Sequence, residues 1–455
     1  MQSALGSDGP DSAALTPPAS PATPPAARRS LSADSLLTTV SKLMVGLMNF
    51  VAAVVVAREF GPAGRGSVAV GLTLVLILTQ LGNVGLTAAN PYFATRDPAL
   101  VGSLVANTLA WSAIVGGLLG GGLLLFRALL PGAIAGISVE LVTLSAAAVP
   151  FGLAAVLLQS VLLGQGRILA FNGIESITAV AAVLALVVAQ QTLHPSPAGA
   201  LSILVAQYPA SALIYLIALG RSSRRLRLDR RLAARMVRFG FRVYLAAVLS
   251  FLVIRLDLML VNAFLGSAQA GLYSVAAVIA QGLIVAPYAI GMNLMPRVAR
   301  GSDATYTATV FRTVAVLYGG ICLVMALLAW PVVHWVYGAR FDASFPMVAW
   351  LLPGTYALGM LTILSLHFVG RGYPREANVI WAAGVVLNVV LNLILLPLFG
   401  TVMASITSTV TYVFMLVLHV RLFHQVDAPA PRLRPSLSET AVLVRSRLRT
   451  RQELS

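Results

Sequence analysis

The stretch FLVIRLDLMLVNAFLG, residues 251–266, lies inside a long apolar run and yet contains Arg255 and Asp257. A charge near the centre of a membrane-length helix costs ~2.5–3.5 kcal/mol on an insertion scale. The two cannot neutralise each other along the helix, because residues two apart point ~200° away from one another. Each charge therefore needs its own partner, a hydrated cavity or a ligand. That requirement already implies a bundle of helices around a polar space.

The whole chain fits that frame. Its 455 residues are 58% hydrophobic and 10% charged, with a mean hydropathy of +0.88. This composition belongs to a polytopic all-α membrane protein. The first 32 residues, with TPPASPATPPAARRS at 16–30, depart from it. Lacking an apolar core, they read as a disordered cytosolic lead extending to residue 35, not a signal peptide. A single cysteine, Cys322, excludes an intrachain disulfide framework or a cysteine-based metal site. The net charge of +16 would suggest nucleic acid in a soluble protein. Here the arginines cluster in loops beside apolar runs, so membrane orientation explains them and no nucleic-acid partner is expected.

Apolar runs of roughly 20 residues give twelve candidate spans. They fall near 36–57, 68–89, 104–126, 139–163, 169–190, 200–219, 243–265, 270–295, 313–336, 346–369, 377–398 and 401–423. With both termini inside, the inner loops carry fifteen arginines: Arg96, Arg167, eight within 221–238, Arg297, Arg300, Arg312, Arg371 and Arg375. The outer loops carry four, Arg58, Arg65, Arg127 and Arg340. The positive-inside rule then places both termini in the cytoplasm. The expected organisation is a lead at 1–35, a six-helix lobe at 36–219, a basic linker at 220–242, a second six-helix lobe at 243–423 and a basic tail at 424–455. The linker reads as a topology signal in contact with anionic headgroups. In the tail, SLSE at 436–439 has capping-box spacing ahead of TAVLVRSRLRTR, so either a short surface helix or disorder is expected.

The halves repeat. Gly61, Gly66 and Pro91 recur as Gly266, Gly271 and Pro296 at an offset of 205. GQGRILAFN (164–172) matches GRGYPREAN (370–378) in two glycines and the final Asn, at 206. A repeat of an even number of helices has parallel topology, giving two pseudo-symmetric lobes about an axis along the membrane normal. Such lobes enclose a cleft.

Several polar residues lie within the spans. Arg255 and Asn262 share one face of span seven, and Asp257 lies on another with Ser250. Lys42, Gly46 and Asn49 form a stripe in span one, and Gln80 and Asn83 neighbour each other in span two. Glu175 enters span five beside Asn172, and His367 and Arg371 form an i, i+4 pair at the end of span ten. The bland alternative is that these groups only fasten helices together. Lys42 and Glu175 lie near enough to the interface to snorkel or to pair.

Absences narrow the function. Lys42 is the only lysine and follows no glycine-rich loop, which excludes a P-loop ATPase. No HExxH, GxSxG or paired metal-ligand motif is present, and the outer loops are too short for an enzymatic platform. Transport without built-in ATP hydrolysis remains, with no enzyme activity and no cofactor expected.

REFGPAGRGSVAV (58–70), RLDLMLVNAFLGSAQAGLYSVAAVIA (255–280) and MNLMPRVAR (292–300) resemble polysaccharide-export flippases. So do VYGARFDASFPMVAWLLPG (336–354) and GRGYPREANVIWAAGVVLNVVLNLILLPLFG (370–400). The resemblance, over about residues 36–423, is to the oligosaccharide flippase branch of the multidrug/oligosaccharidyl-lipid/polysaccharide (MOP) exporter superfamily. One departure is LFGTVMASITS (398–408), where such proteins usually show a second glycine at Val402 or Met403.

The resemblance implies twelve helices in two lobes around a central cavity, as in MATE transporters. It implies a polyprenyl-pyrophosphate-linked oligosaccharide as cargo, flipped across the cytoplasmic membrane by alternating access. Membrane lipids, a polysaccharide polymerase and glycosyltransferases would be its partners. Arg255, Lys42, Asn49, Asn262, Arg371, Gln80 and Asn83 are then the candidate cavity residues, and Asp257 and Glu175 the candidates for ion coupling. A guanidinium in a hydrated cleft suits a pyrophosphate headgroup. The alternatives are an organic-cation antiporter of the same superfamily, whose cavity should favour acidic and aromatic groups, and a lipid II flippase, which usually has two more helices. A non-transporting assembly scaffold is the third.

Overall fold

Glycine decides where the long apolar runs turn back. The computed structural model describes residues 31–129, 136–220, 226–301, 304–429 and 431–434. The N-terminal lead up to residue 30, three of the linker arginines and the proposed tail helix fall outside them. Helix α1 (Leu31–Asn83) would be about 80 Å long if straight, far beyond the ~30 Å hydrocarbon core. It is broken at Gly61 (φ 63°, ψ −170°), with Pro62 following. The second long element, α7 (Arg230–Ala299), breaks in the same way at Gly266 (φ 83°, ψ 174°). Positive φ with extended ψ is a conformation that essentially only glycine adopts without strain. Each long helix is therefore two crossings joined by a hairpin-like kink.

Between them run α2 (Leu86–Arg96), α3 (Val101–Leu129), α4 (Val139–Gly164), α5 (Ile168–Thr192) and α6 (Pro197–Leu219). After α7 come α8 (Ala304–Pro331), α9 (Phe345–Gly370), α10 (Arg375–Phe399) and α11 (Val402–Val426). Ten of these helices are long and apolar enough to cross a membrane, and the two kinked ones each supply a pair of crossings. The twelve expected spans are thus present. Starts are capped as the sequence allows: Ser138 accepts from the Leu141 amide, Ser196 from Gly199 ahead of Pro197, and Asp229 from Leu232. Outward stripes are apolar, as Leu317, Ile321, Val324 and Leu328 on α8 illustrate. Their i, i+4, i+7, i+11 spacing gives one lipid-facing side.

One boundary differs from the sequence reading. Span two, expected to run through residue 89, stops at Asn83, and the chain turns at Val84 (φ 45°) and Gly85 (φ 75°) before α2. Asn83 stabilises the break: its Oδ1 accepts from the Thr87 amide and its Nδ2 donates to Thr87 Oγ1. The reason for the break is tertiary. A Cβ on Gly85 would lie 2.1 Å from the Gly240 carbonyl oxygen, so the two backbones cross with no room for a side chain.

The repeated residues become equivalent contacts. Gly66 and Gly271 meet where the lobes touch: a Cβ on Gly66 would fall 1.7 Å from the Ser267 carbonyl oxygen, and one on Gly271 1.9 Å from that of Pro62. Gly164 packs on Pro91, with its Cβ position 2.6 Å from Pro91 Cα. Gly370 packs beside Pro296, with its Cβ position 2.8 Å from the Met295 carbonyl oxygen. At the kink end, Arg58 adds a polar contact between lobes, donating to the carbonyls of Val336 (2.8 Å) and Trp335 (2.5 Å). At the opposite, linker end, the Tyr244 hydroxyl donates to the Leu81 carbonyl at 2.6 Å. The lobes thus touch at both ends of the α1–α7 seam and separate between.

If the Gly66–Gly271 contact closes the kink end, Gly66→Val should hold it open. Thr73, buried on the cavity wall, is the reporter. In a Cys322→Ser background, Thr73→Cys should react roughly tenfold faster with an impermeant thiol reagent added on the kink side when Gly66→Val is present, a shift of ~1.4 kcal/mol in the open population. Unchanged labelling would show that the contact is not a gate.

Candidate functional site

Between the two ends lies a cavity of about 350 Å³ walled by both arms of α1 and α7 and by α4, α5 and α6. Both walls of the seam supply it with polar groups: Asn49, Arg65 and Thr73 from α1, and Arg255, Ser274 and Gln281 from α7. Glu175, Gln159, Thr178, Gln207, Tyr208, Ser211 and Tyr215 complete the polar lining from the other helices. Small residues of α1 (Ala52, Ala53, Ala69) leave the space that larger side chains would fill.

Arg255 lines this cavity, as its place in an apolar run requires. Its guanidinium lies over the Phe251 ring, 5.6 Å from the centroid, with Tyr208 and Tyr412 nearby. Among the described residues it makes no ion pair. The aromatic face supplies cation–π stabilisation without consuming a hydrogen-bond donor. The guanidinium fork is left available to whatever enters the cavity.

Asp257 is elsewhere. Only 1% exposed, it points away from the cavity into the packing of α7, α10 and α11. The Tyr273 hydroxyl donates to its Oδ2 at 3.0 Å, Ser408 donates to the same oxygen, and Asn392 Nδ2 donates to Oδ1 at 3.0 Å. Asn392 in turn bonds to Asn388 and accepts from Thr407. This is a buried carboxylate inside a shell of neutral oxygen and amide groups, with no ion pair among the described residues. One carboxylate with neutral oxygens suits a proton or a monovalent cation better than a divalent metal. No group of three or more His, Cys, Asp or Glu side chains forms a metal-type cluster among the described residues.

Glu175 and Lys42 are brought together across α1 and α5. Lys42 Nζ lies 2.7 Å from both Glu175 oxygens, and Gln159 donates to Oε2 at 2.9 Å. The lysine also sits 5.5 Å from the Phe171 ring centroid. Asn49 faces the cavity two turns farther along α1.

The remaining candidates lie apart from it. Asn262 shares the Arg255 face of α7 but is buried nearer the kink and is not among the lining residues. Gln80 is not among the lining residues, and Asn83 serves the break before α2. Arg371 and Asp427 pair at the linker end, where His367 holds the same carboxylate, its Nε2 2.7 Å from Oδ2. His367 Nδ1 meets Thr307 Oγ1 at 2.9 Å. That cluster fastens α8, α9 and the end of α11 within one lobe and does not reach the cavity.

Sequence reasoning missed Arg65, which it assigned to an outer loop. Because the chain kinks at Gly61, helix resumes at Pro62 and Arg65 falls one turn inside it, facing the cavity and 5% exposed. The available signal was GPAGRGSVAV itself: helix kinked at a Gly-Pro leaves the following arginine within the span.

A family model described as polysaccharide biosynthesis protein matches residues 55–346. An uncharacterized membrane protein, MJ1375, of Methanocaldococcus jannaschii is 22% identical over 171 residues, covering 36% of this chain and 40% of that protein. Among solved structures, the lipid II flippase MurJ in an inward closed conformation superposes with a TM-score of 0.69 at 11% identity, over 89% of each chain. The MATE multidrug transporter DinF-BH gives 0.67 at 15% identity, over 87% of this chain and 95% of that one. A Vibrio cholerae MATE transporter gives 0.60 at 15%, over 87% and 97%. The architecture is the fold shared by these MurJ and MATE structures.

The Lys42–Glu175 pair is half-exposed, at 41% and 25%. A double-mutant cycle of Lys42→Met and Glu175→Gln, read from thermal unfolding in detergent, should give a coupling of about 1 kcal/mol or less. A coupling several times larger would mark the pair as a principal fastening of α1 to its lobe.

Proposed function

We propose, from the premise that this chain belongs to the polysaccharide biosynthesis protein family, that it flips a polyprenyl-pyrophosphate-linked oligosaccharide between membrane leaflets. Family and fold make it a multi-pass membrane transporter. The identity of its cargo is our reading, and one observation carries it: Arg255, without an ion pair among the described residues, lines an intramembrane cavity. An unpaired guanidinium in a bilayer is expensive unless it is hydrated or bound by an anion. Pyrophosphate oxygens match its planar fork, and a bound anion would offset the charge during the crossing. The only acid among the lining residues, Glu175, is already held by Lys42, so the cavity favours anions over organic cations. The sugar chain would follow the headgroup through the polar seam while the polyprenyl tail stays in lipid.

In this reading the kink end faces outward and the linker end faces the cytoplasm, in keeping with the arginine distribution. Movement runs from the inner to the outer leaflet of the cytoplasmic membrane, upstream of a polymerase and downstream of the glycosyltransferases that build the repeat. The chain would work as two six-helix lobes, 36–219 and 243–423, rocking about the glycine contacts. Asp257 is the coupling group. Its shell spans three helices of one lobe, so gaining or losing a cation there would alter how α7 packs on α10 and α11. Because Arg255 is on the same helix, that repacking would reach the cargo site directly.

Two measurements test this. Arg255→Ala should abolish most flipping of a labelled lipid-linked sugar in proteoliposomes at normal expression, whereas Arg255→Lys should retain part of it, since lysine keeps the charge without the bidentate fork. Wild-type flipping by the alanine variant would remove the cargo role. Asp257→Asn keeps the shape and removes the ionisable group, so flipping should persist at a low rate that no longer responds to an imposed proton or sodium gradient. A retained gradient response would place coupling at another residue.

A further inference from the structure

Arg65 is a cation that the reading above does not use. It lies on the second arm of α1, one residue before the glycine that touches the opposite lobe. It is 5% exposed, lines the same cavity as Arg255, and its Nε is buried without a hydrogen-bond partner. No ion pair holds it among the described residues. Its polar neighbour is Tyr337, whose hydroxyl is likewise buried without a partner. A buried guanidinium beside an unsatisfied phenol forms an incomplete polar site, since native structures rarely leave such groups unpaired.

The geometry sets its depth. Contact between Gly66 and Gly271 puts the two kinks level. Arg65 is four residues from its kink and Arg255 eleven from its own, so they lie about 6 Å and about 16 Å along their helices. The difference of about 10 Å in backbone depth puts Arg65 beyond Arg255 on the way to the kink end, so cargo leaving Arg255 in that direction meets Arg65 next.

We infer that Arg65 and Tyr337 form a second anion site at the kink end, to which the cargo's diphosphate passes from Arg255 before release. This rests on the cargo reading above. Tyr337 belongs to the π-helical turn Val332–Tyr337, whose carbonyls at 335 and 336 receive Arg58, so the site is assembled from both lobes. While the Gly66–Gly271 seam is closed, the anion at Arg65 is shielded from bulk water. When the lobes part there, Tyr337 moves away from Arg58 and Arg65, and the anion loses the phenol at the moment water enters. Opening thus weakens the site it exposes, which favours release on that side.

The test uses the full chain and a fluorescent short-chain polyprenyl diphosphate bearing one sugar. Binding is measured in detergent and transbilayer movement in proteoliposomes, for Arg65→Gln, Arg65→Lys, Tyr337→Phe and Arg255→Gln. Loss of a charged hydrogen-bonding group should weaken binding by Arg255→Gln about tenfold or more. Arg65→Gln should bind within about threefold of wild type yet move the probe about tenfold more slowly, with Tyr337→Phe affected in the same direction but less. Arg65→Lys, which keeps the charge, should recover part of the rate; recovery also shows that the slow variant is folded. Wild-type movement by Arg65→Gln overturns the second site. So does a binding loss equal to that of Arg255→Gln, which would make the two arginines one site. Wild-type binding by Arg255→Gln with slow movement by Arg65→Gln would instead overturn the mid-membrane assignment and leave the kink-end site standing.

Discussion

A charge within a bilayer must be paired, hydrated or bound, and the architecture follows from that demand. Arg255 and Asp257 are two residues apart and solve it in opposite ways. The arginine faces a polar cavity and rests on an aromatic ring, keeping its donors available. The aspartate turns inward, where hydroxyls and amides of three helices saturate it. A helix places such neighbours on different faces, so one element carries both a ligand-facing and a packing-facing charge. Conformational energy in the lobe and electrostatic energy in the cavity thus share a rigid body.

The second constraint is steric. Two lobes can close a hydrated space at its ends only if their backbones approach without side chains between them. Gly66 against Gly271, and Gly85 against Gly240, supply those approaches. The first lies along α1 and α7, the helices that also present Arg65 and Arg255, and the second joins the turn after α1 to α7. Within the second lobe, buried polar shells around Asp257 and His367 tie the helices to one another.

The polar clusters divide along the same line. His367, Arg371 and Asp427 tie helices of one lobe together at the linker end, and Lys42 with Glu175 ties α1 to α5. These are fastenings, which is the ordinary role of intramembrane polar groups. Among the described residues, Arg65 and Arg255 have no such ties. A cavity whose acid is paired and whose two arginines are not has a field that attracts anions.

Much of this was legible in the residues. Apolar runs fixed the number of crossings, because backbone in lipid must satisfy its own hydrogen bonds and only length-matched helices can. The glycine and proline repeat pointed to two equivalent lobes, while the kinks and lobe contacts those glycines make emerged only from the fold. The face of Arg255 followed from its isolation in an apolar run. The partners did not follow: that Asp257 would be met by Ser408 and Asn392, more than 130 residues away, or that Asn262, on the Arg255 face, would be buried outside the cavity lining. Arg65 was misplaced for the same reason. Its charge suggested a loop, but the dihedral angles of Gly61 put it inside the helix, and the lobe opposite closed over it. Periodicity determines which way a side chain points along its own helix; only the packing of distant helices decides whether lipid, water or another side chain is waiting there.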